Sequence, residues 1–244
     1  METRNGTKVS ARVALLTLLA MSQAALSSPK LFFTEAELPA LKVRSAEAPW
    51  KTFLSNQRAL SQQYLDPKSG QYADPAFVGK STWTMSKSRP QVTAHEYGRR
   101  LTAQLETLGM VYALDGHQAA GLHGAKLLSA AARDLPIARD DIAKSYAGAR
   151  GDLARAYAVG YDLLAPCVEA GERKAVEGLL ADYIENLLAE AERPDIWWMP
   201  YHNFCGVGVG GAGLASLALS KDPRAEAWLK RCDAALRRWF DGGF

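Results

Sequence analysis

The sequence predicts an all-α chain built from paired helices, on three observations. Apolar residues recur at helical spacing over most of the chain beyond about residue 34. No segment shows the convincing apolar–polar alternation of a half-buried strand. Segments rich in small residues (Ala154 to Leu164, Gly206 to Leu219) also alternate with more charged ones (Glu172 to Glu190, Arg224 to Phe240). Repeated helical hairpins of this kind build a solenoid or a closed toroid, with the less polar helices inside and the charged ones outside. The repeat is one of architecture, since no sequence motif recurs.

The elements follow in order. Thr34-Glu-Ala-Glu37 reads as a capping box leading into Leu38, Leu41 and Val43. Pro49-Trp50 opens a second helix through Phe53, Leu54 and Leu60. Residues 64 to 93 are richer in Pro, Gly, Ser and Lys and read as a long surface loop, a type of segment that is often functional, with Tyr72 and Trp83 inside it. From Ala94 a helix runs through Leu101, Leu105, Leu108, Met110, Tyr112 and Leu114 to the stop at Asp115-Gly116. Further helices are expected from about Gln118 to Arg133, Arg150 to Leu164 and Glu172 to Glu190, with Pro136, Pro166 and Pro194 after their ends. The Gly/Ala-rich helix then ends near Ser220, and Lys221-Asp-Pro223 turns into an amphipathic helix through Ala227, Leu229, Leu236 and Phe240. Asp140-Asp141 reads as helix capping rather than an acid/base pair, and the closing Trp239-Phe-Asp-Gly-Gly-Phe244 as a turn interrupting a longer chain.

Residues 1–27 read differently from the rest. Arg4, Lys8 and Arg12 precede a short apolar run, Val13 to Met21, and small residues follow, the pattern of an export signal peptide. That run is shorter than the ~20 residues a membrane span needs, so residues 28–244 are expected to act without one, in the periplasm or secreted. The chain carries 29 basic and 26 acidic residues, a net +3. Residues 1–24 hold three of the basic ones and one acidic, which leaves 26 against 25. Basicity therefore gives no argument for a nucleic-acid partner. Cys167, Cys205 and Cys232 match no zinc pattern; a Cys205–Cys232 bridge and buried free thiols both fit them.

The chemistry concentrates in Trp197 to Leu219. Tyr201, His202 and Asn203 place a phenol, an imidazole and an amide in consecutive positions, and glycines with Ala212 then allow close approach. Such a segment suits the wall of a carbohydrate-sized cleft. Trp197, Trp198 and Tyr201 are platforms for sugar rings, with core packing the competing reading for the two tryptophans. Asn203 is equally placed to cap the helix after it. His202 is either an acid/base group or a ring hydrogen-bonded at that helix start. Tyr146 and Arg150 precede an inner-type helix and are placed to line the same cleft, Arg150 binding a carboxylate. His95 and Arg99 lie four apart on one helix face that either contacts an anionic sugar or is solvated. His117 and His123, six apart, have poor spacing for a metal and read as structural, so no metal site is expected.

Several segments together resemble one family. Pro29-Lys-Leu-Phe-Phe-Thr-Glu-Ala-Glu-Leu-Pro-Ala-Leu41 with Pro49-Trp50 resembles the opening segment of the heparinase II/III-like and alginate-lyase-like polysaccharide lyases. Leu108-Gly-Met-Val-Tyr-Ala-Leu-Asp-Gly116 and Leu153-Ala-Arg-Ala-Tyr-Ala-Val-Gly-Tyr-Asp-Leu-Leu164 are similar to their inner-helix ends. Asn203 to Leu219 resembles their catalytic-asparagine helix. The resemblance covers about residues 29 to 244. It implies an incomplete (α/α) toroid, followed in the family by further helices and a β-sandwich, with a catalytic tyrosine expected beyond Phe244.

It also implies cleavage of an acidic, uronate-containing polysaccharide by β-elimination. The proton α to the carboxylate is hard to remove until hydrogen bonds or cations stabilise the charge developing there. Asn203 is the expected stabiliser and His202 the base or second stabiliser, and that scheme needs no cofactor. A glycoside hydrolase on the same toroid needs two placed carboxylates, and between Glu192 and Asp222 only Asp195 is acidic. A non-catalytic glycan-binding or helical scaffold protein is the remaining alternative.

Overall fold

A computed structural model describes residues 31–78, 90–193, 195 and 202–243. The signal-peptide reading, Trp83, Trp197, Trp198 and Tyr201 lie outside the described residues. Among those described there are nine α-helices and no strand. They are α1 (Leu38–Arg44), α2 (Trp50–Leu65), α3 (Pro90–Asp115), α4 (Gln118–Asp134), α5 (Asp140–Ala143), α6 (Ala147–Leu164), α7 (Ala170–Ala191), α8 (Phe204–Ala218) and α9 (Ala225–Gly243).

The expected capping box is present. The Thr34 backbone N–H donates to the Glu37 carboxylate (2.8 Å), and the Glu37 N–H donates to the Thr34 hydroxyl (3.3 Å). His117 caps α4, its Nδ1 accepting the Ala120 N–H, and His123 Nε2 lies 2.7 Å from the Ala73 carbonyl. Both histidines are therefore structural.

Several boundaries differ from the sequence expectation: α2 runs to Leu65, into the segment read as loop, and α6 starts at Ala147, so that Arg150 lies inside the helix it was expected to precede. Helix α3 begins at Pro90, inside the segment read as loop, because proline is well suited to the first turn, where its missing N–H costs nothing. Asp140 and Asp141 do not cap from outside; they form the first turn of α5, where acidic groups suit the positive end of the helix. The C-terminal Trp239-Phe-Asp-Gly-Gly stretch is not a turn, since α9 continues through Gly243. The buried face of α9 is also rotated from expectation. Ala225, Trp228, Cys232 and Ala235 face inward while Phe240 is exposed, because the Trp228 indole N–H donates to Glu185 on α7 (2.6 Å).

Helix α6 is the centre of the molecule, packed chiefly between α3 and α8. Glycines set the spacing. The Gly151 and Gly211 backbones meet directly, so that a Cβ on either would run into main-chain atoms of the other helix. Gly98 meets Asp152 and Gly109 meets Leu163, while Gly148 meets Phe204 and Gly151 meets Val207. Both pairings advance in the same chain direction, so α3, α6 and α8 run parallel, with their N-terminal ends together. The more charged helices α4, α7 and α9 pack on this small-residue set. Between the layers, the Tyr157 and Tyr183 phenols both donate to the Leu135 carbonyl (3.1 Å each). The three cysteines are free thiols.

Candidate active-site cleft

Every residue of α6 is buried except Asp152 and Arg155. Both line a cleft of about 590 Å³ between the N-terminal halves of α6 and α8 and the first two-thirds of α3. Helix α3 contributes His95, Arg99 and Glu106, the residue before α6 contributes Tyr146, and the start of α8 contributes Asn203 and Phe204. Four of the residues singled out from the sequence, from three separate segments, are thus brought together: His95, Arg99, Tyr146 and Asn203.

The electrostatics follow from these contacts. His95 Nδ1 pairs with the Asp152 carboxylate, and the two side chains keep only 31% and 14% of their exposure. The contact is an ion pair without hydrogen-bond geometry, and it engages Nδ1 rather than Nε2. Burial pushes the Asp152 carboxyl above its ordinary range, against the opposing pull of His95, Arg99 and Arg155. The Tyr146 ring stacks on Phe204, with centroids 4.4 Å apart and planes inclined by 15°, and lies 6.4 Å from the His95 ring. Burial raises the Tyr146 phenol, the nearby Asp152 charge adds to this, and Arg99 opposes it. The phenol is therefore a proton donor at neutral pH. Arg99 and Arg155 are exposed and have no hydrogen bond or ion pair among the described residues. Two exposed guanidiniums on one cleft suit an anionic ligand.

Asn203 and His202 divide their work differently from the sequence reading. Asn203 occupies the N-cap position of α8, yet its side chain makes no capping hydrogen bond. The Phe204 N–H is instead accepted by His202 Nδ1 (3.2 Å), and the His202 ring packs on Phe204 with centroids 3.9 Å apart. His202 is thus the ring hydrogen-bonded at the helix start, outside the cleft lining, and the Asn203 amide is left for the cleft.

Arg150 requires a correction. It is buried, donates to the Asn186 side-chain oxygen (2.6 Å), and forms an ion pair with Glu190. It ties α6 to α7 and does not line the cleft, because position 150 faces away from the side shared by Asp152 and Arg155. Asp152, Arg155 and Glu106 are the cleft residues that sequence reasoning missed. The signal available for the first two was an acid and a base three apart, on one face of a helix rich in small residues.

Among the described residues, no group of three or more His, Cys, Asp or Glu side chains could hold a metal ion. No described helix is long and apolar enough to cross a membrane. The chain matches no model of a known protein family, and a search of curated proteins finds no match.

Proposed function

We propose that the cleft binds a uronate-containing acidic glycan and cleaves it by β-elimination. One observation carries this reading: two guanidiniums and an amide without hydrogen bonds or ion pairs among the described residues, an imidazole in contact with Asp152 and a phenol share one cleft. Arg99, Arg155 and the Asn203 amide hold the sugar carboxylate and stabilise the charge that develops on it. His95 Nε2 accepts the proton at C5, with Asp152 holding the opposite side of the ring. The C5–H electron pair becomes the C4–C5 double bond, the C4–O bond breaks, and the Tyr146 O–H protonates the departing oxygen. The two-row helix order is in keeping with part of an (α/α) toroid, and a leader at residues 1–27 would send the enzyme to the periplasm or outside the cell.

A second reading has one observation in its favour. Glu106 and Asp152 place two carboxylates on the cleft, as a glycoside hydrolase needs. The pairing of Asp152 with His95 favours the lyase. Incubation with alginate, heparan sulfate, chondroitin and hyaluronan separates the readings. Ultraviolet absorbance of a 4,5-unsaturated product is expected. New reducing ends without that absorbance establish hydrolysis, and binding without cleavage establishes a glycan-binding protein.

A further inference from the structure

His202 closes the first turn of α8 twice. Its carbonyl accepts the Cys205 N–H (3.1 Å), and its ring Nδ1 accepts the Phe204 N–H (3.2 Å). The first N–H groups of a helix have no partner within it, and the Asn203 side chain makes no capping bond here. The imidazole therefore serves Phe204 as a capping side chain serves other helix starts.

That bond also holds a row of three rings. The Phe204 ring lies between the His202 ring, 3.9 Å away by centroid, and the Tyr146 ring, 4.4 Å away and inclined by 15°. Gly148 is the seat of the last two, since a Cβ there would lie 2.9 Å from Tyr146 Cε2 and 3.1 Å from Phe204 Cδ1. Tyr146 and Phe204 line the cleft, whereas His202 is outside its lining. A change at His202 thus reaches the phenol through Phe204.

Nδ1 accepts a hydrogen bond only in the neutral imidazole, and the half-buried ring is open to protons from solvent. Protonation replaces the acceptor by a second donor and sets a cation beside the positive end of α8. Attraction of an imidazolium for the Phe204 face does not restore the lost acceptor. Among the elements packed at this end, α6 and the residue before it bring Asp152 and Tyr146, and α3 brings His95 and Arg99. Helix α9 brings Arg238, whose charge reaches Cys205, while Glu190 on α7 is held by Arg150. His95 is the other imidazole in this set and gives the cleft a pH dependence of its own.

Resting on the lyase reading for the role of Tyr146, we infer that His202 is a positioning residue. Its neutral ring latches Phe204 and, through it, the Tyr146 phenol, and protonation releases both. Acid therefore loosens one wall of the cleft while the rest of the fold stands.

The test compares the parent with His202→Asn, whose side-chain oxygen can accept the Phe204 N–H throughout the range from about pH 5 to 8 in which histidine titrates. Amide hydrogen exchange at Phe204, followed by NMR, reads the latch without substrate. The parent's protection factor should fall about tenfold as His202 is protonated, the scale of one lost capping bond, and should hold in His202→Asn. His202→Ala should lack the protection at every pH. Because His202→Asn keeps an acceptor, it should melt as the parent does at neutral pH. Where unsaturated product forms, kcat of the parent should fall more steeply with acid than that of His202→Asn, which keeps only the His95 limb, with KM alike in the two. Protection that survives protonation of His202, or that falls equally in His202→Asn, overturns the latch. Acid limbs of equal slope overturn the positioning role. If the exchange results hold and no product forms at any pH, the latch stands and the lyase reading falls.

Discussion

Gly98 on α3 and Asp152 on α6 meet so closely that a Cβ at position 98 would lie 2.6 Å from the Asp152 Cβ. It would also lie 2.8 Å from the Asp152 carbonyl carbon and 2.9 Å from the Leu153 nitrogen. Only glycine permits this approach, and the approach lets His95, one turn earlier on α3, reach the Asp152 carboxylate. The packing of two helices and the orientation of the candidate base thus have one cause.

Gly98→Ala should therefore affect stability and site together. Main-chain atoms cannot yield as a side-chain tip can, so the expected cost is about 1–3 kcal/mol. In a chain of this length that lowers Tm by about 2–4 °C per kcal/mol. Thermal melting checks the first effect, and the His95 ring resonances in an NMR pH titration check the separation from Asp152.

Arg150→Ala should destabilise by about 3 kcal/mol, because it removes a buried guanidinium that ion-pairs with Glu190 and donates to Asn186. The double substitution Arg150→Met, Glu190→Leu should recover most of that loss. Urea unfolding measures both. Glycan affinity should be unchanged in the double variant, since neither residue lines the cleft.

Arg231 on α9 holds two carboxylates of α7 and its C-terminal end, Glu185 at 2.7 Å and Glu192 at 2.7 Å. Hydrogen bonds from Arg231 hold both glutamates below their ordinary 4.5. Groups lowered in the folded state stabilise above their unfolded value, and that contribution is lost as pH falls through the folded value. Arg231→Ala should thus lower Tm at pH 7, and the difference from the parent should shrink steadily below about pH 4.5. A difference that persists to pH 2 would mean the arginine acts through packing alone.

Burial pushes the Cys205 and Cys232 thiols up to about 11. At pH 8 only about one in a thousand of each is then thiolate, the reactive form. Iodoacetamide on the folded protein should label half-buried Cys167 first, with the other two reacting only on unfolding. Mass spectrometry of the tryptic peptides reads the order.

The helices were legible because their apolar residues recur at a period that long segments state many times over, as in Leu101, Leu105 and Leu108. The rotation of α9 was not, because a tryptophan three residues into the helix chooses its face by a hydrogen bond to Glu185, a contact 43 positions away. The site was half legible. His95, Arg99, Tyr146 and Asn203 carry chemistry in their side chains and could be named singly. Their meeting depends on three glycine-spaced parallel helices, which no local pattern reveals. Arg150 and Asp152 sit two positions apart on α6 and so point to different neighbours, one into a buried ion pair and one into the cleft. His202 and Asn203 are adjacent as well, and a single cap hydrogen bond decides which of them is left for the cleft.

The most direct test of the cleft is the rate of unsaturated-product formation by His95→Gln and Asn203→Ala on whichever uronate polymer the parent cleaves. Removing the proton acceptor or the carboxylate stabiliser should lower kcat about 10²–10³-fold, with Tm within about 2 °C of the parent. Full activity in either variant would contradict the assignment of that residue, and full activity in both would place the chemistry elsewhere in the protein.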